Sequence, residues 1–566
     1  MATMAQKKPG REQNVRVKDA SSPFESLDDT AAGPKQEGQA IIESSGVEQP
    51  KSKTKKPLAF YLAFFAINII VFVFSLDATS LAVAIPSIAD QLHGTTLQSF
   101  WAGISFLLAV VITQPLYTSL SDIYGRKPLL QVAFVFFAVG SVVFALAHSM
   151  AGIIAGRVLQ GFGGGGLDVL GEIIVADMTT LKDCAVYLGI MAIPTAAGSI
   201  LGPSVGAIFS QYVSWRWIGW VNLPFLGVGY PLVLFFLHLR RLESSLLEKT
   251  RQLDWTGMLL FSIGCITFVL PLSWAGTLYM WSSWRTILPL LIGVLLLGAF
   301  AFYEARPEMP IMPHRLFGRT ASATLLGAFL HGMMLFSLMQ YLPFFYQAAL
   351  RKTLVQSALT LLPTSIASVL TAGFSVTAVG LMRSYRWVVW LSWVLITVGA
   401  GLLAVMSDSS GAGMAYGVPV ICGGGIGALL RVLHLPLQAS VPHVDDTGLA
   451  IGLLMFSRLL GGLIGLAVSS TIFSSVFQRK IAAVALPDSL VVLRDANEAI
   501  RFIPQLRTLD PSQVPIVPVV HAYLSAFRVI FYAMAGFGML GCLTSLFTEE
   551  LSIQKEELGR QQFETP

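Results

Sequence analysis

Fourteen apolar runs, each about as long as a membrane is thick, divide this 566-residue chain and constrain its fold more than any other feature. A helix needs about 20 such residues to cross about 30 Å of hydrocarbon. Within lipid only helices and closed barrels satisfy every backbone polar group. The runs lie near 58–85, 97–119, 128–148, 151–175, 186–210, 217–238, 256–275, 285–304, 321–348, 355–380, 387–406, 413–436, 448–475 and 522–547. They predict an all-α integral membrane protein. Only 12% of residues are charged, whereas a water-soluble domain carries about 25%. The 51 glycines suit the close approach of membrane helices.

Residues 1–57 differ in kind. They are polar and basic and hold no apolar run, so they read as a disordered tail. The first apolar run is too long for the core of a secretory signal. Cys184, Cys265, Cys422 and Cys542 show neither paired nor metal-ligand spacing, and core packing explains them.

Lys and Arg set the orientation, because they stay cytoplasmic. With both ends inside, the tails hold 12 of these residues and the short inner loops 12 more, against four in the short outer loops. Both termini are therefore expected in the cytoplasm. Trp215, Trp217, Trp274, Trp281 and Trp284 cluster at the proposed outer boundaries, where aromatic belts form.

The chain repeats internally. Gly189, Gly198 and Gly202 in the fifth run have the same spacing as Gly452, Gly461 and Gly465 in the thirteenth. Repeated halves are how many transporters build a central site. The expected organisation is a six-helix half (58–240), two inserted helices (241–320), a second six-helix half (321–548) with a long outer loop at 476–521, and a cytoplasmic tail (549–566).

Several polar groups lie inside the runs, where ionisable residues are costly and point to function by default. The first run carries Leu76-Asp77-Ala-Thr79, ending at Pro86. The fourth reads Arg157-Val-Leu-Gln160-Gly161-Phe-Gly163-Gly-Gly-Gly166-Leu-Asp168, with Glu172 a turn later. At 100° per residue, Arg157 and Asp168 share a face to within about 20°. By depth, Asp77 and Arg157 fall within about a turn of each other, so a direct or water-mediated contact is expected. A static ion pair is the competing account. The loop after the second run is Asp122-Ile-Tyr-Gly125-Arg126-Lys127-Pro128. Gly125 permits a tight turn there, and Asp122 can cap a helix or pair with the basic residues. The fifth run continues as Gly202-Pro203-Ser-Val-Gly206-Ala207. Two apparent enzyme motifs lack their context. Gly161-Phe-Gly163-Gly-Gly-Gly166 follows no strand, and Gly202-Pro203-Ser204-Val205-Gly206 lacks a strand–turn–helix setting. No phosphate-binding Walker sequence occurs, so ATP is not the expected direct energy source, and no bound cofactor is expected.

These motifs together resemble the major facilitator superfamily. The Asp122–Lys127 loop is similar to its signature Gly-X-Leu-X-Asp-X-X-Gly-Arg-Lys, with Thr118 in place of the first Gly. Leu76-Asp77-Ala-Thr79…Pro86 and the Gly189…Gly206 spacing resemble the fourteen-span drug:proton antiporter branch, and Arg157-Val-Leu-Gln160-Gly161 resembles its proton-coupling motif. Trp215-Arg216-Trp217-Ile-Gly-Trp220-Val-Asn222, Leu342-Pro343-Phe-Phe-Tyr346-Gln347 and Arg458-Leu-Leu-Gly461-Gly462 extend the likeness over about 58–548. Lys182-Asp183-Cys184 departs from it. The resemblance is nearest to fungal pumps for drugs and mycotoxins. It implies a monomeric, multi-pass protein of the cell membrane, or alternatively of the vacuole. Its partners would be lipid, protons and a small hydrophobic substrate, and not nucleic acid. Asp77, Arg157 and Asp168 would couple protons, and which carboxylate carries the proton stays open. Asp122, Gly125, Arg126, Lys127, Gly189, Gly198, Gly202, Pro203 and Gly206 would serve the conformational change. Trp101, Gln160, His331, Gln340, Tyr341 and Gln347 are candidates for touching substrate, although His331 is more simply a bonded core histidine. Competing readings are uptake or vacuolar storage of amino acids, polyamines or iron chelates, and a transporter-like receptor. The short C-tail counts against the receptor.

Overall fold

The computed structural model describes residues 56–552 apart from 93, 95, 180, 241–253, 276–278, 307–311, 313, 408–409, 442, 444–445, 485, 495–497, 508 and 510–515. The N-tail read as disordered, three of the cations counted in the inner loops (Arg241, Lys249 and Arg251), the last residues of the C-tail and the side chains of Pro86, Lys182 and Cys184 lie outside the described residues.

Fourteen helices among the described residues are long and apolar enough to cross a membrane. We number these α1 (Leu58–Gln91), α2 (Thr96–Tyr124), α3 (Arg126–Ala145), α4 (Met150–Met178), α5 (Leu181–Ile208), α6 (Trp217–Phe236), α7 (Trp255–Trp274), α8 (Trp284–Tyr303), α9 (Arg319–Ala348), α10 (Leu354–Met382), α11 (Arg386–Val405), α12 (Gly413–Ser440), α13 (Thr447–Ile481) and α14 (Ile516–Ser545). The chain is a multi-pass membrane protein. With an even number of spans, α1 begins and α14 ends on one face, here called the terminal face; the opposite face is distal.

Helix ends follow local chemistry. Gly125 adopts φ 96°, a left-handed value open to glycine, and so separates α2 from α3 within one residue. Thr353 and Gln356 form a capping box at the start of α10. α14 begins at Ile516, earlier than its apolar run suggested, and α13 runs on to Ile481. Pro518 falls in the first turn of α14, where a missing N–H costs no helical bond. The remaining distal segment also folds. Leu490, Leu493, Ile500, Ile503 and Leu506 are buried in the main core, and the short helix Ala499–Phe502 packs against α1 and α2. Tyr523 Oη of α14 donates to the Ala499 carbonyl at 2.6 Å.

The glycine repeat acquires a physical reason. α5 packs on α1, and α13 packs on α9. A Cβ at Gly198 would meet the Phe72 carbonyl, and one at Gly461 the Phe329 carbonyl. Four residues on, a Cβ at Gly202 would meet Thr79 Oγ1 and lie 2.8 Å from the Leu76 carbonyl. At Gly465 it would lie 2.6 Å from the Met333 carbonyl. The same register thus joins the equivalent helix pair in each set of six. Asp77 has no charged counterpart, because Met334 stands at the matching place one residue beyond Met333. Gly202→Leu and Gly465→Leu are each expected to cut folded yield and unfolding temperature, since overpacking a tight contact costs about 1–3 kcal/mol or more. Gly189→Ala is the control and is expected to be neutral, because a Cβ there meets nothing within 4 Å.

The two six-helix sets meet along two seams, α2 with α13 and α5 with α10. The inserted pair α7–α8 covers the first seam, with Phe261 of α7 packed 5.2 Å from Phe456 of α13. α8 turns Leu291, Leu295 and Phe302 outward. Trp217, Trp281 and Trp284 are exposed at the distal boundary. Trp215 departs from the expected aromatic belt. It is buried against Phe144, and its Nε1 donates to Gln91 Oε1 at 2.9 Å. An indole at a helix junction finds its polar partner in the protein rather than at the lipid headgroups.

Candidate functional site

A cavity of about 270 Å³ lies between the helix sets. Its walls come from Phe74–Ile85 of α1, Ser99–Leu107 of α2, the middle of α4, α5 and α9, and the middle to distal parts of α10, α12 and α13. It therefore occupies the centre and distal half of the protein. At the terminal face the seam is closed. A Cβ at Gly448 would lie 3.1 Å from Arg126 Nη2, and one at Gly452 would lie 2.5 Å from Thr118 Oγ1. The departure at Thr118 is compensated here, because the glycine of this contact stands on α13 instead of α2.

The closing contact is built on the Asp122–Lys127 loop. Arg126 pairs with Asp122 at 2.6 Å and with Asp177 of α4 at 3.0 Å. Lys127 Nζ donates to the Leu234 and Leu237 carbonyls at the end of α6, at 2.8 and 2.9 Å. It thereby supplies protons to carbonyls that a helix end leaves without partners. Nearby, Arg315 grips Asp446, just before α13, with two bonds of 2.8 Å. The hydrogen bonding to Asp446 raises the Arg315 pKa above its ordinary value.

Asp77 is fully buried beside the cavity. Its Oδ2 accepts from Arg157 Nη1 at 2.5 Å, and its Oδ1 accepts from Gln160 Nε2 at 3.1 Å and Asn222 Nδ2 at 2.8 Å. Ser141 Oγ accepts from both amides, at 3.0 and 3.2 Å. The Arg157 guanidinium lies over the Phe106 ring at 4.1 Å and lines the cavity. One buried carboxylate thus gathers donors from α4 and α6. A buried charge is tolerated only with this degree of pairing and hydrogen bonding. Of these partners, Asn222 and Ser141 were not evident as such in the sequence. Asn222 stood within a flagged motif, but nothing marked Ser141.

A second polar cluster lies deeper and joins the helix sets. Glu172 of α4 accepts from Arg431 Nη1 of α12 at 3.0 Å, and Arg431 Nη2 donates to Thr195 Oγ1 of α5 at 3.1 Å. His434 Nδ1 stands 3.8 Å from Glu172 Oε2. Asp168 Oδ2 accepts from Gln114 Nε2 of α2 at 2.8 Å. Arg458 of α13 donates to the Leu430 carbonyl at 3.0 Å. Asp168, Glu172, Arg431 and Arg458 all face the cavity. The signal for Glu172, Arg431 and Arg458 was their charge inside apolar runs; their partners were not legible there.

The other anticipated residues are distributed as follows. Gln340, Tyr341 and Pro203 line the cavity. Trp101, Gln160, His331 and Gln347 are not among its lining residues. Gln160 faces Asp77 instead. His331 is buried, with Nε2 at 3.0 Å from the Ile426 carbonyl. Gln347 is buried near the distal end of α9. Gly198, Gly202 and Gly206 sit at the α1–α5 contact, and Gly189 faces open space.

The Major Facilitator Superfamily model matches residues 67–466. The chain is 49% identical to the MFS-type transporter sphD of Aspergillus fumigatus over 97% of its length and 96% of that protein. It is 34% identical to the efflux pump FUS6 of Gibberella moniliformis, over 90% of this chain and 91% of that one. It is 32% identical to the MFS-type efflux pump MMF1 of Pseudozyma antarctica, over 90% and 94%. Among solved structures, the human organic anion transporter MFSD10 (TETRAN) superimposes with a TM-score of 0.56 at 16% identity, covering 87% of this chain and all of the other. At that identity the likeness concerns the fold. A charged central cavity between two helix sets, a basic loop closing one face, and relatives matched nearly end to end agree: this chain is a membrane transporter, not an enzyme, and belongs to the Major Facilitator Superfamily.

Proposed function

We propose that this protein exports a small, largely hydrophobic molecule in exchange for protons, by alternating access, across the cell membrane with both termini cytoplasmic. The observation that carries the reading is the Asp77–Arg157 pair, a buried carboxylate held by three donors at the cavity wall. Protonating Asp77 would remove its charge and loosen its hold on Arg157, which faces the cavity. The energy of the two conformations would then shift relative to one another, as coupling requires. Asp168, in the cavity itself, is the second proton carrier of the proposal. The likeness to the efflux pumps FUS6 and MMF1 supports export over uptake, and the Lys/Arg asymmetry supports the orientation. The closed terminal face and the more distal cavity correspond in this reading to an outward-directed state.

Transport by the purified chain in vesicles tests it, using a panel of hydrophobic toxins and cationic dyes with and without a pH gradient. Movement should require the gradient, and Asp77→Asn or Asp168→Asn should abolish it. Equal movement without a gradient, or normal transport by both variants, would refute proton exchange.

A further inference from the structure

The cavity presents one cation and one anion that have no ionic partner of their own. Among the described residues, Asp168 accepts a hydrogen bond only from the neutral Gln114 amide, and no Lys or Arg nitrogen lies within 4.0 Å of it. Arg458 is 5% exposed, donates only to the Leu430 carbonyl and leaves its Nε without a partner. Between them, Glu172 Oε1 pairs with Arg431 Nη1 at 3.0 Å, which leaves Glu172 Oε2 and Arg431 Nε without hydrogen-bond partners and Glu172 near Arg458 without bonding it. Asp168 and Arg458 are near enough to feel each other's charge but not to bond. The groups facing Asp168 are Glu172 on its own helix, Gln114 of α2, Arg431 of α12 and Arg458 of α13; the imidazoles of His434 and His331 lie beside Arg458. The walls above are apolar and soft, formed by Phe74, Phe106, Leu107, Phe336, Met339 and Met455.

We propose that the ligand of this cavity is an amphipathic zwitterion, with a free ammonium and a free carboxylate on one head and an apolar body. Its carboxylate would sit on Arg458 in charge-assisted hydrogen bonds, and its ammonium would donate to Asp168. Such a head adds no net charge to a low-dielectric site and pairs both open charges at once. A bare cation would leave Arg458 uncompensated, and a bare anion would leave Asp168 so. The sign of the linkage also favours it. A proton and the ligand's ammonium compete for the same Asp168 oxygens, so protonation from an acidic side expels the ligand. A simple anion would instead bind more tightly after protonation, against the direction of exchange. The proposal rests on the efflux reading for that direction only; the binding site stands apart from it.

The test is equilibrium binding to the full chain in phosphatidylcholine nanodiscs without a gradient. Four probes share one tail: 2-aminooctanoic acid, its N-acetyl derivative, its methyl ester, and the doubly blocked N-acetyl methyl ester. The free amino acid should bind at least about tenfold tighter than any blocked form, about one charge-assisted contact's worth. Arg458→Gln should erase the preference for acid over ester, Arg458→Lys should keep it, and Asp168→Asn should erase the preference for amine over N-acetyl. In wild type, which needs no variant to fold, acidifying from about pH 7.5 to about pH 5 should weaken amino-acid binding, while the probe remains zwitterionic. Equal binding of all four probes, tighter binding of the doubly blocked one, no binding at all, or an unchanged preference in Arg458→Gln overturns the proposal. Should binding follow the expected pattern while a pH gradient moves nothing, the zwitterion site stands and the efflux reading fails. Should a gradient drive the doubly blocked compound while the amino acid is ignored, the efflux reading stands and this proposal fails.

Discussion

Arg157→Met should lower the unfolding free energy by about 3–5 kcal/mol, the cost of leaving a buried carboxylate without its cation. Asp77 would keep only the two amide donors of Gln160 and Asn222, both neutral. Asp77→Asn should cost a similar amount for the mirrored reason. It strands the Arg157 guanidinium and turns an amide N–H towards donors that need an acceptor. The double variant Asp77→Asn/Arg157→Met removes both charges and should recover more than half of either loss, without restoring gradient-driven transport. A double-mutant cycle on the detergent-purified chain measures this. Additive losses would show that the two groups do not depend on each other, despite the 2.5 Å contact.

The second large effect concerns the pair that bridges the helix sets. Arg431→Gln should destabilise the chain by about 3–5 kcal/mol, because Glu172 then keeps a buried charge with no cation in contact. Glu172→Gln should cost less, about 1–3 kcal/mol, since a glutamine oxygen still accepts from Arg431. The order of these losses is the prediction. Because Glu172 and Thr195 belong to one set of helices and Arg431 to the other, the loss should also appear as easier separation at the α4–α12 contact. Disulfide trapping between cysteines placed there should fall in Arg431→Gln and remain near wild type in Glu172→Gln. Equal trapping in both variants would mean that the pair does not tie the halves.

The sequence read well wherever the solvent sets the rule. Hydrocarbon demands about 20 apolar residues per span, so the helices were visible as runs, and their ends moved where helix continues past the apolar stretch, as in α1 to Gln91 and α13 to Ile481, or where Pro518 concealed the first turn of α14. Asp77 and Arg157 were legible as partners because helical rise fixes depth, and two charges at one depth in lipid have few other solutions. Glycine spacing in α5 and α13 was legible as an internal repeat, and its reason at Gly198, Gly202, Gly461 and Gly465 is that only a missing Cβ admits a backbone carbonyl there.

The cavity wall was less legible. Helices that are apolar on all sides carry little signal about which face turns inward. Gln160 accordingly read as a substrate contact, whereas its amide faces Asp77, and Trp101, His331 and Gln347 lie off the cavity that Gln340 and Tyr341 line. Thr118 stood out only as a departure from the family's first Gly, and the glycine that accommodates it, Gly452, lies on another helix.

From the sequence alone came the number of spans, their depth in the bilayer and the cost of every charge placed within them, because these depend on hydrophobicity and helical rise along one chain. The pairing of Glu172 with Arg431, 259 residues away, and the opposition of Asp168 to Arg458 were decided only by the tertiary structure. Those contacts depend on how each helix is rotated about its own axis, and that rotation is set by packing against neighbours that no local pattern names.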